Sequence, residues 1–344
     1  MSGLGKVELS LYSWMSHHNM LISSARLFCK VNGIELKVSF DHKENLYHGL
    51  TLKLNGFNCF LDYQDSPEYL MNPDKYDLYF KRSLIVGNEN ASFKNVLPLG
   101  MQVNYNYQLP LNLFCKGVWS KKNKIEVFRT LDIFGFTNQS HQARNYKRVV
   151  NSKIDDNGGI VIYLTRLWNL NNYHAREEIE RRTRMNNYRV ETCKLLKDHF
   201  PNGNIGIFRD KMSEKVVGED LLVDTKITTA RNYLTLLKTS DIGIADDGLK
   251  DTLGWKIGEY TLNNLAIVTT PINVVVPGFY NNQHYIETNN RIDSKGVIDI
   301  IYELLKGKAY LEMKLKNYVF SRQNMHPYNY FQNIILQIVE RSRL

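Results

Sequence analysis

From residue 159 onward, short apolar runs typical of buried strands alternate with segments of helical periodicity. The apolar runs are residues 159–164, 205–208, 242–245 and 266–269, and the helical segments between them are residues 177–200, 228–238 and 255–262. Continuous apolar runs indicate strands that are covered on both faces, as in parallel sheets. This alternation predicts an α/β fold with a doubly wound parallel sheet in the C-terminal half.

The N-terminal half has a similar but less regular pattern. Its predicted strands are residues 7–14, 34–40, 50–61 (one or two strands), 76–80 and 125–134, with a helix at residues 19–32. Strand, helix, strand and then mixed elements predict an α/β domain of irregular build. At 344 residues the chain is long enough for two such domains.

A strong turn signal, Ile-Asp-Asp-Asn-Gly-Gly at residues 154–159, separates the two halves. We therefore predict an N-terminal domain at residues 1–153 and a C-terminal domain at residues 154–324. The remaining segment, residues 325–344, has the periodicity of an amphipathic helix. Its apolar positions are Phe331, Ile334, Ile335, Ile338 and Val339.

The net charge of +9 suits three kinds of partner: nucleic acid, an anionic membrane surface or phosphorylated small molecules. The basic residues are dispersed, with small clusters only at residues 121–124 and 181–184. No nucleic-acid-binding motif accompanies them. We therefore expect no nucleic-acid partner and favour phosphorylated ligands, with an anionic membrane surface as a second partner.

The four cysteines, Cys29, Cys59, Cys115 and Cys193, are widely scattered and form no CxxC pair. This pattern argues against a structural zinc site and favours free thiols in a reducing compartment. No apolar run reaches the roughly 18 residues of a membrane-spanning helix, and residues 1–6 lack the apolar core of a signal peptide. We expect a cytoplasmic protein that is able to associate with a membrane.

Ligands of open parallel sheets bind at the carboxyl ends of the strands. The loops after Leu164, Phe208, Ala245 and Thr270 are therefore the candidate site. Residues 240–278 are the most informative stretch, because an acidic, glycine-bearing loop there joins a strand to a helix.

That loop contains Asp246, Asp247 and Gly248, and a helix start offers backbone N–H groups to an anion. The two aspartates have a plainer alternative as turn residues. Gly254, just before the predicted helix, permits close approach of the backbone to a ligand.

Asp251 and Glu259 have seven residues between them, about two helical turns, so they share one face if both are helical. Lys256 lies three residues before Glu259 on a neighbouring ridge. Alternatively, Asp251 is a helix N-cap and Glu259 an ordinary surface residue.

This stretch resembles the donor-binding segment of GT-B glycosyltransferases, especially bacterial enzymes that build capsule- or O-antigen-type surface polysaccharides. Many of them carry two acidic residues with seven residues between, the second in a segment like Glu-x-Met-Ala-x-Gly-x-Pro-Val. Residues 259–268 occupy that place and Thr269-Thr270-Pro271 follows. The resemblance implies that Glu259 holds the ribose hydroxyls of the nucleotide. It implies that Asp251 contacts the donor sugar, with Asp246 or Asp247 as alternatives.

The resemblance extends to Thr165-Arg166-Leu167, which is similar to the Gly-Arg-Leu of many family members. It implies that Arg166 faces the donor diphosphate, and Arg209 is a second cation at a strand end. The family's lysine about five residues after that arginine is replaced by asparagine at positions 171 and 172. We therefore expect Arg166, Arg209 and Lys256 to hold the phosphates in a different arrangement.

In the N-terminal half, His17 and His18 follow the first predicted strand, in a loop that faces the interdomain cleft of GT-B enzymes. An imidazole there is a candidate general base on an acceptor hydroxyl. A helix cap with incidental histidines is the alternative, and Asp62 or Asp65 would then be examined as the base. Lys81 and Arg82 either attract an acidic acceptor or cap the sheet edge.

The resemblance as a whole implies two Rossmann-like domains that face a cleft, with a C-terminal helix that crosses back to the N-terminal domain. It implies sugar transfer from a nucleotide diphosphate donor to the hydroxyl of a glycan or lipid-linked glycan. No cofactor or metal is required, because cations and helix N-termini neutralise the leaving diphosphate. The competing hypothesis is a non-catalytic module that binds nucleotide-sugar or glycan.

Overall fold

The computed structural model describes residues 5–13, 15–41, 46, 48–87, 93–108, 113, 145–170, 175–248 and 252–342. They form two six-stranded sheets, one in each half of the chain. The predicted strand at residues 125–134, the basic cluster at residues 121–124, and Cys115 lie outside the described residues. Cys29, Cys59 and Cys193 are buried free thiols, as expected.

The N-terminal sheet has the order β2-β1-β3-β4-β5-β6. Its strands are β1 Lys6–Leu11, β2 Glu35–Phe40, β3 Gly49–Leu54, β4 Phe57–Asp62, β5 Leu78–Lys81 and β6 Val96–Pro98. Strand β3 is antiparallel to both β1 and β4, whereas the other neighbours are parallel. The reversal is local: Asn55 and Gly56 adopt φ values of 47° and 88°, the backbone of a tight Asn-Gly hairpin turn. The sheet is therefore mixed and departs from a fully parallel Rossmann sheet.

The C-terminal sheet is parallel throughout. Its strands are β7 Val161–Thr165, β8 Asn204–Phe208, β9 Leu222–Val223, β10 Ile242–Ala245, β11 Ala266–Thr269 and β12 Ile286–Glu287. Their order, β9-β8-β7-β10-β11-β12, is the 3-2-1-4-5-6 order of dinucleotide-binding Rossmann sheets. The strands β7, β10 and β11 are buried along their whole length, which explains their continuous apolar sequence.

The helices flank these sheets. They are α1 Asn19–Asn32, α2 Tyr146–Val149, α3 Arg176–His199, α4 Ser213–Val216, α5 Ala230–Lys238, α6 Trp255–Leu262, α7 Ser294–Leu305, α8 Tyr310–Asn324 and α9 Pro327–Ser342. No helix of the described segments is long and apolar enough to cross a membrane.

The last helix returns to the N-terminal half. The ring of Phe331 in α9 packs 5.5 Å from that of Phe28 in α1. Just before α9, the Met325 carbonyl accepts a 2.8 Å hydrogen bond from the hydroxyl of Tyr105. The predicted α/β fold, with two sheet-containing halves and a C-terminal helix that crosses back, is therefore confirmed. This is the GT-B arrangement with a mixed N-terminal sheet.

Candidate functional site

The strand order of the C-terminal sheet determines where a ligand fits. Strands β7 and β10 are neighbours, but the chain continues from β7 to β8 on one side and from β10 to β11 on the other. The loops at their carboxyl ends therefore diverge, and in doubly wound sheets the ligand-binding crevice lies at such a topological switch point. Arg166 directly follows β7, and Asp246 and Asp247 directly follow β10.

A buried arginine ties these two strand ends together. From the middle of α3, the Nε and Nη2 atoms of Arg189 donate hydrogen bonds of 2.7 and 2.8 Å to the two carboxylate oxygens of Asp246. Its Nη1 atom donates to the backbone carbonyl of Arg166. The hydroxyl of Tyr163 on β7 donates a further 3.0 Å bond to Asp246. No sequence pattern singles out Arg189, because one arginine within a highly charged helix has no distinguishing spacing.

Asp246 is consequently a satisfied anion. Burial alone would favour its neutral form, but Arg189 and, to a lesser degree, Lys256 outweigh burial and lower its pKa to about 2. The carboxylate is thus charged at neutral pH and already accepts hydrogen bonds from Arg189 and Tyr163. These contacts favour a role in holding the strand ends together over direct contact with a sugar.

Asp247 connects the loops after β10 and β11. Its backbone N–H donates to the hydroxyl of Thr270 at 2.8 Å, and that hydroxyl lies 3.2 Å from its carboxylate. Arg291 donates a 2.6 Å hydrogen bond to the other carboxylate oxygen. Burial nevertheless raises the pKa of Asp247, although the positive charge of Arg291 acts to lower it.

The two glycines allow the loop after β10 to fold on itself. The backbone N–H of Gly248 donates a 2.7 Å hydrogen bond to the carbonyl of Thr252. A Cβ atom on Gly254 would lie 2.6 Å from the carbonyl oxygen of Asp246. The close approach predicted for Gly254 is therefore to the chain's own backbone.

Lys256, in the first turn of α6, carries a buried ammonium group without a hydrogen-bond partner among the described residues. Its Nζ atom lies 4.9 Å from the centroid of the Tyr163 ring, a cation–π contact. Burial lowers the lysine pKa to about 8, although Asp246 acts in the opposite direction. Helix α6 starts at Trp255 without a side-chain cap. The positive end of the helix dipole and the ammonium group therefore lie at the same end of the helix.

Lys256 has no hydrogen-bonded counter-ion among the described residues. Arg189 engages Asp246 with two of its three hydrogen bonds, while Asp246 and, more weakly, Glu259 act on Lys256 only through their charge. A buried unpaired cation is costly unless an anion joins it. The cluster is therefore suited to bind an anion at the start of α6.

Glu259 lies one turn further along α6. Its Oε2 atom accepts a 2.9 Å hydrogen bond from the hydroxyl of Tyr233 in α5. Asp251 lies outside the described residues. Residues 252–254 are not helical and α6 begins at Trp255, so no continuous helix joins Asp251 to Glu259. The condition under which these two acidic residues would share a helical face is therefore not met.

The two predicted phosphate-binding arginines follow adjacent parallel strands, β7 and β8. Arg166 is exposed, and its guanidinium lies 5.6 Å from the centroid of the Phe208 ring. Arg209 is less available, because it forms ion pairs with Glu214 and Glu219. The structure thus leaves Arg166 with fewer charged competitors than Arg209.

The two halves meet at the first residue of α6. The His17 ring lies 4.5 Å from the ring of Trp255, and the guanidinium of Arg82 lies 4.8 Å from the same ring. The Nδ1 atom of His17 is buried without a hydrogen-bond partner among the described residues. Burial, reinforced by Arg82, lowers the pKa of His17 to about 3, so this imidazole is neutral at working pH. It is therefore a weaker proton acceptor than the histidine of ordinary pKa that we expected from the sequence.

His18 has a different environment. It is fully buried, its Nδ1 atom lies 3.2 Å from the carbonyl oxygen of Ser13, and its ring packs 5.1 Å from that of Tyr63. This position at the start of α1 favours the alternative hypothesis of a structural histidine.

The acidic alternatives on the N-terminal side are also engaged. Asp62 and Lys81 are fully buried and form a 2.9 Å ion pair, to which Tyr79 adds a 2.6 Å hydrogen bond. Asp65 pairs with Arg82. Lys81 therefore has a structural partner, whereas Arg82 extends to the junction between the halves.

No protein-family model matches this chain, and no curated protein matches it. Similar solved structures include a glycosyltransferase from Rickettsia africae ESF-5, with 9% identity over 95% of this chain and 81% of that one and a TM-score of 0.42. Anabaena HepE in complex with UDP is 10% identical over 77% of this chain and 64% of its own, with a TM-score of 0.38.

A mutant of S. aureus TarM, in complex with fondaparinux, alpha-GlcNAc-glycerol and UDP, is 11% identical over 78% of this chain, with a TM-score of 0.40. The match covers 44% of TarM, so this chain spans less than half of that protein's length.

Proposed function

We propose that this protein is a glycosyltransferase that moves a sugar from a nucleotide diphosphate donor to an acceptor hydroxyl. The observation that carries the proposal is the buried ammonium of Lys256 at the start of α6. It has no hydrogen-bond partner in the described part of the chain and lies beside the switch point of a Rossmann-ordered sheet. A diphosphate supplies anionic oxygens that can accept hydrogen bonds from this ammonium, and ligands of such sheets bind at the carboxyl ends of the strands.

In the proposed donor complex, the diphosphate lies against the N-terminus of α6, Lys256 and Arg166, with Arg209 at the periphery. Glu259 accepts hydrogen bonds from the ribose hydroxyls, and Asp251 contacts the donor sugar. As the glycosidic bond breaks, negative charge accumulates on the leaving diphosphate, and fixed cations stabilise it. These protein cations take the part of a metal ion, and we propose a reaction without metal or other cofactor.

The acceptor enters from the N-terminal side, where His17 contacts Trp255. His17 accepts the hydroxyl proton if the reaction inverts configuration, and it shapes the acceptor pocket if the reaction retains configuration. The net charge of +9 suits a lipid-linked glycan at an anionic membrane surface, as in cell-surface polysaccharide or glycolipid synthesis.

A second candidate is a protein that binds nucleotide-sugar or glycan without turnover. It is motivated by the asparagines at positions 171 and 172, where the GT-B pattern has a phosphate-binding lysine. Lys256 provides a similar charge from a different element, which favours the enzyme.

Calorimetry with UDP, GDP, ADP and CMP tests the donor site, and release of free nucleotide from the matching nucleotide-sugar tests turnover. An enzyme binds one of these ligands and cleaves its sugar conjugate, whereas a binding module does only the first. Absence of binding at millimolar concentration would reject the enzyme and a module that binds nucleotide-sugar, and would leave only a module that binds glycan. DNA binding with a steep salt dependence would then indicate a nucleic-acid-binding protein instead.

A further inference from the structure

Tyr233 lies on a different helix from the proposed ribose-binding residue and yet contacts it directly. The tyrosine belongs to α5, a short surface helix in which only Leu237 is fully buried, and its hydroxyl donates the 2.9 Å hydrogen bond to Oε2 of Glu259. The sequence pattern predicts a helix at residues 228–238 but assigns no polar role to Tyr233. The polar contact emerges from the packing of α5 beside α6.

The Tyr233 phenol stays protonated at neutral pH. Burial, and then the neighbouring Glu259 carboxylate, raise the pKa of Tyr233 well above its ordinary value. The phenol therefore keeps its proton and acts as a donor, and the carboxylate oxygen acts as the acceptor.

Orientation matters for a carboxylate that accepts two adjacent hydroxyl groups. A glutamate side chain has three rotatable bonds, and a hydrogen bond to one oxygen restricts the plane of the carboxylate. Helix α6 fixes the backbone of Glu259, and the hydrogen bond from the Tyr233 hydroxyl restricts the conformation of the end of its side chain.

We infer that Tyr233 is a positioning residue for ribose recognition: it presets the Glu259 carboxylate for the nucleotide, an inference that rests on the proposed function. Tyr233 does not itself touch the donor. Its contribution appears only with ligands that carry ribose hydroxyls, and only while Glu259 has its carboxylate.

The test measures affinity by calorimetry for the nucleoside diphosphate that the wild-type protein binds most tightly, and for its 2′,3′-dideoxy counterpart. The variants are Tyr233→Phe, Glu259→Gln and the double variant. Tyr233→Phe removes one oxygen atom and retains the ring, so the helix packing remains. The matched control is Tyr260→Phe, because the Tyr260 hydroxyl donates to the backbone carbonyl of Ile244 on β10 instead.

We expect Tyr233→Phe to lower the affinity for the ribonucleotide about five- to tenfold and to change the affinity for the dideoxynucleotide by less than about twofold. In the Glu259→Gln background the same substitution has no further effect, because coupled residues are not additive. Tyr260→Phe lowers the unfolding temperature but keeps the ratio between the two ligands.

An equal loss for both ligands in Tyr233→Phe, or full additivity with Glu259→Gln, would overturn the inference and assign Tyr233 a purely structural role. If Glu259→Gln lowers the affinity only for the ribonucleotide while Tyr233→Phe changes neither affinity, the proposed donor site is supported and the positioning role of Tyr233 is rejected. If Glu259→Gln leaves ribose discrimination intact, both the ribose contact and this inference fail.

Discussion

The ammonium of Lys256 lies over the ring of Tyr163, 4.9 Å from its centroid, while the hydroxyl of that tyrosine donates to Asp246. The lysine thus faces a π-system, and the nearby carboxylate is held by Arg189. This division leaves the buried lysine ammonium without a hydrogen-bonded counter-ion among the described residues. The electrostatics of the proposed donor site follow from it.

Replacement of this charge affects diphosphates selectively. We expect Lys256→Met to weaken a nucleoside diphosphate at least about tenfold, because a charge-assisted contact contributes about 1.5–3 kcal/mol. Binding of the corresponding nucleoside changes little. Lys256→Arg keeps the charge and serves as the control, and calorimetry with both ligands provides the measurement. Equal losses for nucleoside and diphosphate would point to a damaged fold.

The same lysine predicts a pH dependence. With its pKa lowered to about 8, Lys256 loses its proton as pH rises from 7 to 9, and diphosphate affinity falls over that range. The stability of the free protein changes in the opposite direction. Between pH 8 and 10.5 the unfolded lysine binds more protons than the folded one, so stability rises with pH. Calorimetry and urea unfolding at several pH values check both trends, and Lys256→Met should lack both.

The buried pair of Arg189 and Asp246 predicts a large effect on stability. Arg189→Met leaves the Asp246 carboxylate buried without its bidentate partner, and we expect a loss of about 3–5 kcal/mol in the free energy of unfolding. Arg189→Met combined with Asp246→Asn should recover part of that loss. Urea denaturation measures both variants, and equal stability of the single and double variants would contradict this interpretation.

Acid acts on the same pair. The Asp246 pKa of about 2 lies below the ordinary value of 3.8, so its stabilisation is complete above pH 4 and declines as pH falls towards 2. Stability falls as pH is lowered in this window because the unfolded carboxylate binds more protons than the folded one. Asp246→Asn removes this component from the acid unfolding curve.

The two strand-end arginines should differ in importance. Arg166→Gln weakens nucleoside diphosphates more than nucleosides, because its guanidinium is exposed at the end of β7. We expect a smaller effect from Arg209→Gln, since Glu214 and Glu219 already share that charge. Titration of both variants with diphosphate and nucleoside measures the difference. A larger diphosphate-selective loss for Arg209→Gln would reverse the order.

The two histidines separate catalysis from folding. We expect His17→Ala to lower turnover about 10²-fold with donor affinity intact. A pKa of about 3 also means that no rate change near pH 6.5 arises from His17. His18→Ala instead lowers stability by about 2 kcal/mol, because that ring is fully buried. Turnover assays and thermal unfolding check both variants, and normal turnover in His17→Ala would exclude its role at the acceptor.

Local sequence patterns determine most elements of the C-terminal half. The predicted helix at residues 255–262 and strands at residues 242–245 and 266–269 agree with α6, β10 and β11 at both ends. Buried parallel strands are continuous apolar runs, and glycine or asparagine turns separate them, so nearby residues carry the information. The candidate loops at the carboxyl ends of the strands follow from the same alternation.

Tertiary structure decides which charges are available. Arg189 and Asp246 are 57 positions apart, and no spacing in the sequence joins them. The contacts of Trp255 with His17 and Arg82 likewise arise only where the two halves meet. The sequence does not indicate whether a given aspartate or lysine forms an ion pair in the folded protein. Its hydrogen bonds, burial and pKa depend on neighbours that the folded chain brings together, and for this reason only the three-dimensional arrangement distinguishes the ammonium of Lys256 from the other lysines of the chain.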